Sequence, residues 1–120
     1  MQILVVDDSF VIRARLVAAI EQMGQFHTVL EAELIEQALE RFYAIKPDVV
    51  IADLGKQNRR GLIQLAKLRQ GFPGAYIVAA VNASGQCLKT KLMSKGADAV
   101  FDKTLEYGAM LEALQALLAD

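Results

Sequence analysis

The sequence predicts an α/β protein: a doubly wound parallel sheet of five strands that alternate with five helices. Short apolar runs alternate along the chain with longer amphipathic stretches, which is the pattern of repeated βα units. The run Ala75–Val81 is apolar throughout, as expected for a central strand covered by helices on both faces. At 120 residues the chain is expected to form one domain, residues 1–120, around a single hydrophobic core.

The first half of the chain is predicted to hold three strands and two helices. The first strand is Gln2–Val6, and the first helix follows Ser9, a residue type that favours helix N-caps, and ends at Gly24. The second strand is His27–Ala32, and Pro47 marks the entry to the third, Asp48–Ala52. The inward faces predicted for the two helices hold Ile12, Leu16, Ile20 and Met23 in the first, and Leu34, Ile35, Ala38, Leu39 and Phe42 in the second.

The second half is predicted to hold two further strands and three helices. A polar loop, Gly55–Gly61, precedes the third helix, and the turn Pro73–Gly74 leads into the fourth strand, Ala75–Val81. The fifth strand is Ala99–Phe101, after Gly96. The inward faces predicted for these helices hold Leu62, Leu65 and Leu68; then Leu88, Leu92 and Met93; then Leu105, Leu111, Leu114, Leu117 and Leu118.

Composition argues against several classes of function. The net charge of −1, from 13 basic and 14 acidic residues, gives no bulk attraction to nucleic acid or to a membrane surface. The apolar runs are too short to span a bilayer, and no basic segment precedes the first of them. A single cysteine, Cys87, rules out an internal disulfide and suits a reducing compartment, so a cytoplasmic location is expected.

Three apolar strands run directly into charged residues. The first is followed by Asp7 and Asp8, the third by Asp53, and the fifth by Asp102 and Lys103. Ligands of doubly wound sheets bind beyond the carboxyl ends of the strands, at the switch point in strand order. For the order 2-1-3-4-5, common in such sheets, that point lies between strands 1 and 3, which places the first three acids together.

Lys103 is expected to reach this acidic group from the fifth strand. Strands 3 and 5 are separated by two strand spacings, roughly 10 Å. An extended lysine side chain covers most of that distance, so the ammonium of Lys103 can approach Asp53.

The residue types fit phosphoryl transfer. Three crowded carboxylates repel one another unless a hard divalent cation such as Mg²⁺ neutralises them. Asp53 can then attack phosphorus and form an aspartyl phosphate, while the metal and Lys103 stabilise the charge. Taken singly, Asp7 or Asp8 could simply cap the first helix and Asp53 could be a turn residue. Their conjunction at three strand ends favours the functional interpretation.

These segments also resemble a known family. The family is that of bacterial response-regulator receiver domains. Its acidic-pair segment is resembled by Ile3–Ser9 with Arg13, and its phosphoacceptor segment by Pro47–Leu54 with Gly61. Its lysine segment is resembled by Gly96–Ala99 with Lys103. The resemblance covers the whole chain and implies a flavodoxin-like fold of order 2-1-3-4-5.

It also implies roles for individual residues. Asp53 would be the phosphoacceptor, assisted by Lys103, and Asp8, Asp53 and the carbonyl of Gly55 would hold Mg²⁺, with Asp7 acting through water. The phosphodonor would be a histidine kinase or phosphotransfer protein. The side built from strand 4, helix 4, strand 5 and helix 5 would meet an effector domain or downstream protein, with no direct nucleic-acid or membrane contact.

Two departures from the family bear on signal output. Counting back from Gly96 and Lys103 puts the family's switch Thr or Ser at Val81, which has no hydroxyl to donate to a phosphoryl oxygen. The aromatic switch position falls on Val100, with Phe101 turned to the opposite face. Asn82 or Ser84 could supply the missing donor, although Asn82 is expected to point away from the side chain of Val81.

Smaller departures follow the same segments. Thr104 and Gln57 stand where the family usually has proline. The cationic loop from Lys56 to Arg60 is interpreted as a solvated loop, or alternatively as a segment that steers an anionic donor.

The resulting hypothesis is a receiver with intact acceptor chemistry and a weakened or rewired output. Two alternatives stay open: a pseudo-receiver that acts as an interaction module without phosphorylation, and an aspartate-nucleophile phosphohydrolase, which the absence of a substrate-covering segment disfavours. Beyond its own phosphorylation and dephosphorylation, no enzymatic turnover is expected.

Overall fold

Five parallel strands form one sheet in the computed structural model, which describes residues 1–24, 27–55, 59–82 and 86–119. The strand order is β2-β1-β3-β4-β5, so the predicted fold class and order are confirmed. In chain order the elements are β1 Gln2–Val6, α1 Phe10–Glu21, β2 Thr28–Ala32, α2 Ile35–Phe42, β3 Val49–Gly55, α3 Arg59–Gly71, β4 Tyr76–Val81, α4 Gln86–Ser94, β5 Ala99–Asp102 and α5 Tyr107–Leu118.

Successive residues of each strand enter different core layers, because side chains alternate across a sheet. Val5, Ile51 and Ala80 pack in the layer under α1 and α5. Val6, Ala52 and Val81 pack in the layer under α2, α3 and α4. In β3, the segment Val49–Ala52 is at most 2% exposed, as expected for a central strand with helices on both sides.

The third strand is longer than predicted. It continues past Ala52 because Asp53 pairs with Ala80 and Gly55 pairs with Val81, with an irregularity between the two pairs. The following helix starts at Arg59, so Arg60 and Gly61 belong to α3 and not to a loop. The phosphoacceptor candidate therefore lies inside the hydrogen-bonded ladder, where its direction is set by strand geometry.

The five helices lie in the predicted segments, although α1 ends at Glu21 and not at Gly24. Ser9 caps α1 as expected, its Oγ accepting from the N–H of Ile12 at 3.4 Å. Four residues predicted to face inward are instead exposed: Ile12, Leu34, Met93 and Leu105. Leu34 and Leu105 precede α2 and α5, while Ile12 and Met93 lie in α1 and α4 beside the buried Arg13 and Leu92. Among the described residues, no helix is long and apolar enough to cross a membrane.

Arg69 ties together the end of the sheet opposite the acidic residues. Its guanidinium donates to the carbonyl oxygens of Gly96, Pro73 and Ala75, at 2.7 to 3.1 Å. It also pairs with Asp98 at 2.6 Å, and the same Asp98 oxygen accepts from the N–H of Ile77. One side chain thus joins α3 to the starts of β4 and β5.

We expect Arg69→Met to destabilise the protein by about 3 kcal/mol or more, because several carbonyl oxygens and Asp98 lose a charged donor at once. Urea unfolding followed by circular dichroism measures this change. Lys67→Met, on an exposed position of the same helix, is the matched control and should alter the free energy of unfolding by less than about 0.5 kcal/mol. Equal effects of the two substitutions would contradict a role for the Arg69 network.

Candidate functional site

The carboxyl ends of β1, β3 and β5 bring the predicted charged residues together. Carboxylate oxygens of Asp7, Asp8 and Asp53 all lie within 4.8 Å of one another. The ammonium nitrogen of Lys103 lies 2.8 Å from Oδ2 of Asp53, and these side chains are 18% and 9% exposed. The side chain of Lys103 therefore reaches Asp53 across two strand spacings, as expected.

Backbone N–H groups fix the directions of two of the carboxylates. Oδ1 of Asp7 accepts from the N–H of Ser9, and Oδ1 of Asp53 accepts from the N–H of Gly55, both at 2.8 Å. Gly55 has a φ of +65°, and a Cβ built on it would contact nothing within 4 Å. Glycine is favoured there by backbone conformation and not by space.

Arg13 holds the end of β1 in place, a role that the sequence did not reveal beyond its spacing from Asp8. Its side chain is 9% exposed, and Nη1 donates to the carbonyl oxygen of Asp7 at 2.6 Å. Nε donates to Glu31 of β2 at 3.0 Å. The buried guanidinium thus connects α1, β1 and β2 beside the acidic residues, which orients the strand end that carries them.

A second set of contacts holds the turn that carries Lys103. The N–H of Lys103 donates to the carbonyl oxygen of Val81 at 2.9 Å. Oδ1 of Asp102, a residue only 3% exposed, accepts from the N–H groups of Thr104 and Leu105 at 2.8 and 3.0 Å. The ammonium is therefore presented from a turn bonded to both β4 and β5.

Glu106 connects this turn to α4. Its carboxylate accepts from the N–H of Asp102 at 2.9 Å and pairs with Lys89 at the same distance. The backbone N–H of Asp102, and then Lys89, hold the pKa of Glu106 below its usual range. The sequence pattern did not single out Glu106, and it indicated only an ordinary polar helix face for Lys89.

The acidic group is built to accept a cation. Burial raises the pKa of Asp7 above its ordinary value, and the neighbouring charges of Asp53 and Asp8 raise it further, against the lowering effect of the Ser9 N–H. The single charge of Lys103 does not balance three acids. The oxygen-only donor set formed by Asp7, Asp8, Asp53 and the nearby carbonyl of Gly55 suits Mg²⁺, which prefers oxygen ligands.

The end of β4 presents no hydroxyl group to Asp53. Ala80 is the residue paired with Asp53 in the ladder, and it contributes only a methyl group. Val81, the predicted switch position, pairs with Gly55 and is fully buried in the layer under α2, α3 and α4. The assignment of the switch position to Val81 stays a prediction, and both residues lack the donor that the family uses.

The side chain of Asn82 lies away from that of Val81, as expected. Alternation along the strand puts Asn82 on the face of Ala80, whereas Val81 is buried in the opposite layer. Asn82 lines the same cavity as Asp53, Ala80 and Lys103. The cavity beside Asp53 therefore opens on the face that Asn82 shares with Ala80.

In β5 the alternation is as expected. Val100 packs in the layer under α4 and Phe101 in the layer under α5. Val100 therefore places no aromatic ring beside β4.

Two cavities open onto the acidic residues. One, of about 300 Å³, lies between β1, β3 and the starts of α2 and α3, with Asp8, Glu33 and Arg60 among its lining residues. The other, of about 390 Å³, lies between α1 and α5 and is lined by Asp7 and Lys103 among others.

The predicted roles of Lys56, Gln57 and Ser84 concern residues outside the described part of the chain.

The chain thus combines a doubly wound parallel sheet with an aspartate, two further acids and a lysine at the switch point in strand order. The family model of the response regulator receiver domain matches residues 3–115, so the chain belongs to that family.

Individual proteins agree with this assignment. The chain is 28% identical over 115 residues to the chemotaxis protein CheY of Listeria monocytogenes, an alignment that covers 96% of each. A receiver domain from Colwellia psychrerythraea superposes with a TM-score of 0.83 at 19% identity, over 98% of both chains. A response regulator protein from Burkholderia pseudomallei, whose crystal structure holds a phosphorylated aspartic acid, a calcium ion and citrate, superposes with a TM-score of 0.75 at 25% identity, over 94% of this chain and 65% of that one.

We expect Asp7→Asn to raise the melting temperature of the metal-free protein at neutral pH by several degrees. A raised pKa means that neutral Asp7 favours the fold below its ordinary pKa and that this contribution is lost as pH rises through the raised value. Asparagine removes the charge and keeps the acceptor for Ser9. Differential scanning fluorimetry measures the shift, with the exposed Glu112→Gln as the charge-matched control. A lower melting temperature for Asp7→Asn would show that the charge of Asp7 does not oppose folding.

We expect Glu106→Gln to destabilise the protein at neutral pH and to lose its effect in acid. Because the pKa of Glu106 is lowered, its stabilisation is present above the ordinary glutamate pKa and disappears as pH falls through the folded-state value. Urea unfolding of wild type and variant between neutral pH and about pH 3 measures the difference. If the difference in the free energy of unfolding between wild type and Glu106→Gln stayed constant with pH, the effect would come from packing and not from the charge of Glu106.

Proposed function

We propose that this receiver domain accepts a phosphoryl group on Asp53 from the phosphohistidine of a histidine kinase or phosphotransfer protein. The observation that carries the proposal is the position of the Asp53 carboxylate, between two further acids and the ammonium of Lys103. This arrangement places a nucleophile beside both a cation and a set of metal ligands. The phosphorylated aspartic acid of the similar Burkholderia protein supports the same chemistry here.

In the proposed reaction a carboxylate oxygen of Asp53 attacks phosphorus. The P–N bond of the phosphohistidine breaks as the O–P bond forms, and the imidazole nitrogen keeps the bonding electrons. Lys103 stays protonated throughout and stabilises charge on the phosphoryl oxygens. Mg²⁺, held by Asp8, Asp53 and the Gly55 carbonyl with Asp7 nearby, would supply further charge neutralisation.

The output is proposed to leave through the side formed by β4, α4, β5 and α5, toward an effector domain or a downstream protein. Lys89 and Glu106 lie on this side and are bonded to the turn that carries Lys103. Neither Ala80 nor Val81 carries a hydroxyl, and Val100 supplies no ring beside β4. We therefore propose that the relay of the family is weakened or rewired in this chain.

A phosphorylation-independent pseudo-receiver is the second candidate, and the apolar end of β4 beside Asp53 is the observation that favours it. In that case the acidic group and Lys103 would only stabilise the fold, and the domain would bind its partners constitutively. The two candidates differ in whether Asp53 reacts.

Intact-protein mass spectrometry after incubation with acetyl phosphate tests the proposal. We expect a phosphoryl adduct that requires Mg²⁺, is absent in Asp53→Asn, and forms at least about ten-fold more slowly in Lys103→Met, which loses a charged contact to the phosphoryl group. Asp48→Asn, at the opposite end of the sheet, is the matched control and should react like wild type. An unmodified wild-type protein, also with phosphoramidate as donor, would support the pseudo-receiver.

A further inference from the structure

In β4, which the structure describes in full, no side chain offers a polar partner to Asp53. Ala80 pairs with Asp53 and contributes only a methyl group, while the side chain of Val81 is buried in the opposite layer. A phosphoryl group on Asp53 would carry charged oxygens into the space beside the end of β4. Lys103 approaches Asp53 from β5, and Asp7 and Asp8 approach it from β1. A hydrogen-bond donor from the end of β4 would therefore complete the set of groups around the phosphoryl oxygens.

Asn82 is placed to supply this donor. Two residues beyond Ala80, it lies past the end of the strand on the same face of the sheet. Its backbone N–H donates to the carbonyl oxygen of Gly55 at 3.1 Å, which anchors it beside the segment that follows Asp53. Its side chain is exposed and lines the cavity of about 390 Å³ that Asp53 and Lys103 also line.

Thr104 is one competing donor, because it carries a hydroxyl and lines the same cavity. It follows β5, however, at two strand spacings from β3, roughly 10 Å, whereas β4 lies at one spacing of about 4.8 Å. A threonine side chain is much too short to cover the longer distance, so the geometry favours Asn82 over Thr104. Arg15 and Tyr107 also line the cavity, from α1 and α5, where the guanidinium lies over the tyrosine ring.

We infer that the carboxamide of Asn82 donates a hydrogen bond to a phosphoryl oxygen on Asp53 and so replaces the hydroxyl that the end of β4 lacks. This inference rests on the proposed function and adds a further catalytic residue to it. The amide transfers no proton; it only stabilises negative charge that Asp53 acquires with the phosphoryl group. A hydrogen bond to a charged group corresponds to about ten-fold or more in affinity.

Beryllofluoride with Mg²⁺, a non-covalent mimic of the phosphoryl group, is the probe for this contact. In protein labelled with ¹⁵N-asparagine, the side-chain N–H resonances of Asn82 should shift on addition of the probe. The Kd for beryllofluoride should rise about ten-fold or more in Asn82→Ala, and further in Asn82→Asp, which adds a repelling charge. Thr104→Val removes the competing hydroxyl at similar shape and should leave the Kd unchanged.

A rescue experiment separates a hydrogen bond from a structural effect. Ala80→Ser adds a hydroxyl on the β4 residue that pairs with Asp53 and lines the same cavity, so the double variant Ala80→Ser/Asn82→Ala should recover most of the lost affinity. An unchanged Kd in Asn82→Ala, or a loss in Thr104→Val instead, would overturn the inference while leaving Asp53 as the acceptor. If wild type shows neither a probe response nor a mass adduct, the proposed function fails, and the role of Asn82 fails with it.

Discussion

The ion pair between Lys103 and Asp53 is the interaction on which the site depends. It joins β5 to β3 across the intervening β4, so it forms only if all three strands keep their parallel register. Both side chains are largely shielded, and two further acids lie beside Asp53. Removing the ammonium would leave three crowded carboxylates with less compensation, which is costly where water screens poorly. In the metal-free protein Lys103 therefore supports the acidic cluster as well as its proposed chemistry.

This pair has a defined geometry because its supports are backbone contacts and not flexible side chains alone. Gly55 donates to one oxygen of Asp53 and leaves the other to Lys103. The turn after β5 is closed by Asp102 and bonded to the carbonyl of Val81. On the far side, Arg13 fixes the carbonyl of Asp7. Groups held in this way need little reorganisation when charge develops on a phosphoryl group, which is the condition for efficient electrostatic stabilisation.

The sequence predicted the fold and the four charged site residues because buried parallel strands are continuous apolar runs, and the charge at their ends is visible by inspection. It placed Asn82 away from the side chain of Val81, but it did not show that the cavity beside Asp53 opens on that face, because the strand ladder, and not the count along the chain, decides which face of the sheet leads to the site. It also assigned no role to Glu106 and only a spacing to Arg13. Glu106 contacts Asp102, 4 positions before it, and Lys89 on α4, while Arg13 contacts Asp7, 6 positions before it. Local charge patterns do not specify such partners.

The same contacts limit how a signal could leave the site. Phosphorylation would change the partner of Lys103, because its ammonium now bonds the oxygen of Asp53 that the new group would crowd. From Lys103 the bonded contacts run through the backbone of Asp102 to Glu106, and from there to Lys89 on α4. Meanwhile the N–H of Asn82 ties the end of β4 to Gly55, so β3 and β4 are coupled at their ends. The end of β4 offers no hydroxyl and β5 places no ring beside it, whereas the turn carrying Lys103 gives a bonded connection from Asp53 to α4. In the proposed rewired output, movement of this turn would carry the change at Asp53 to α4.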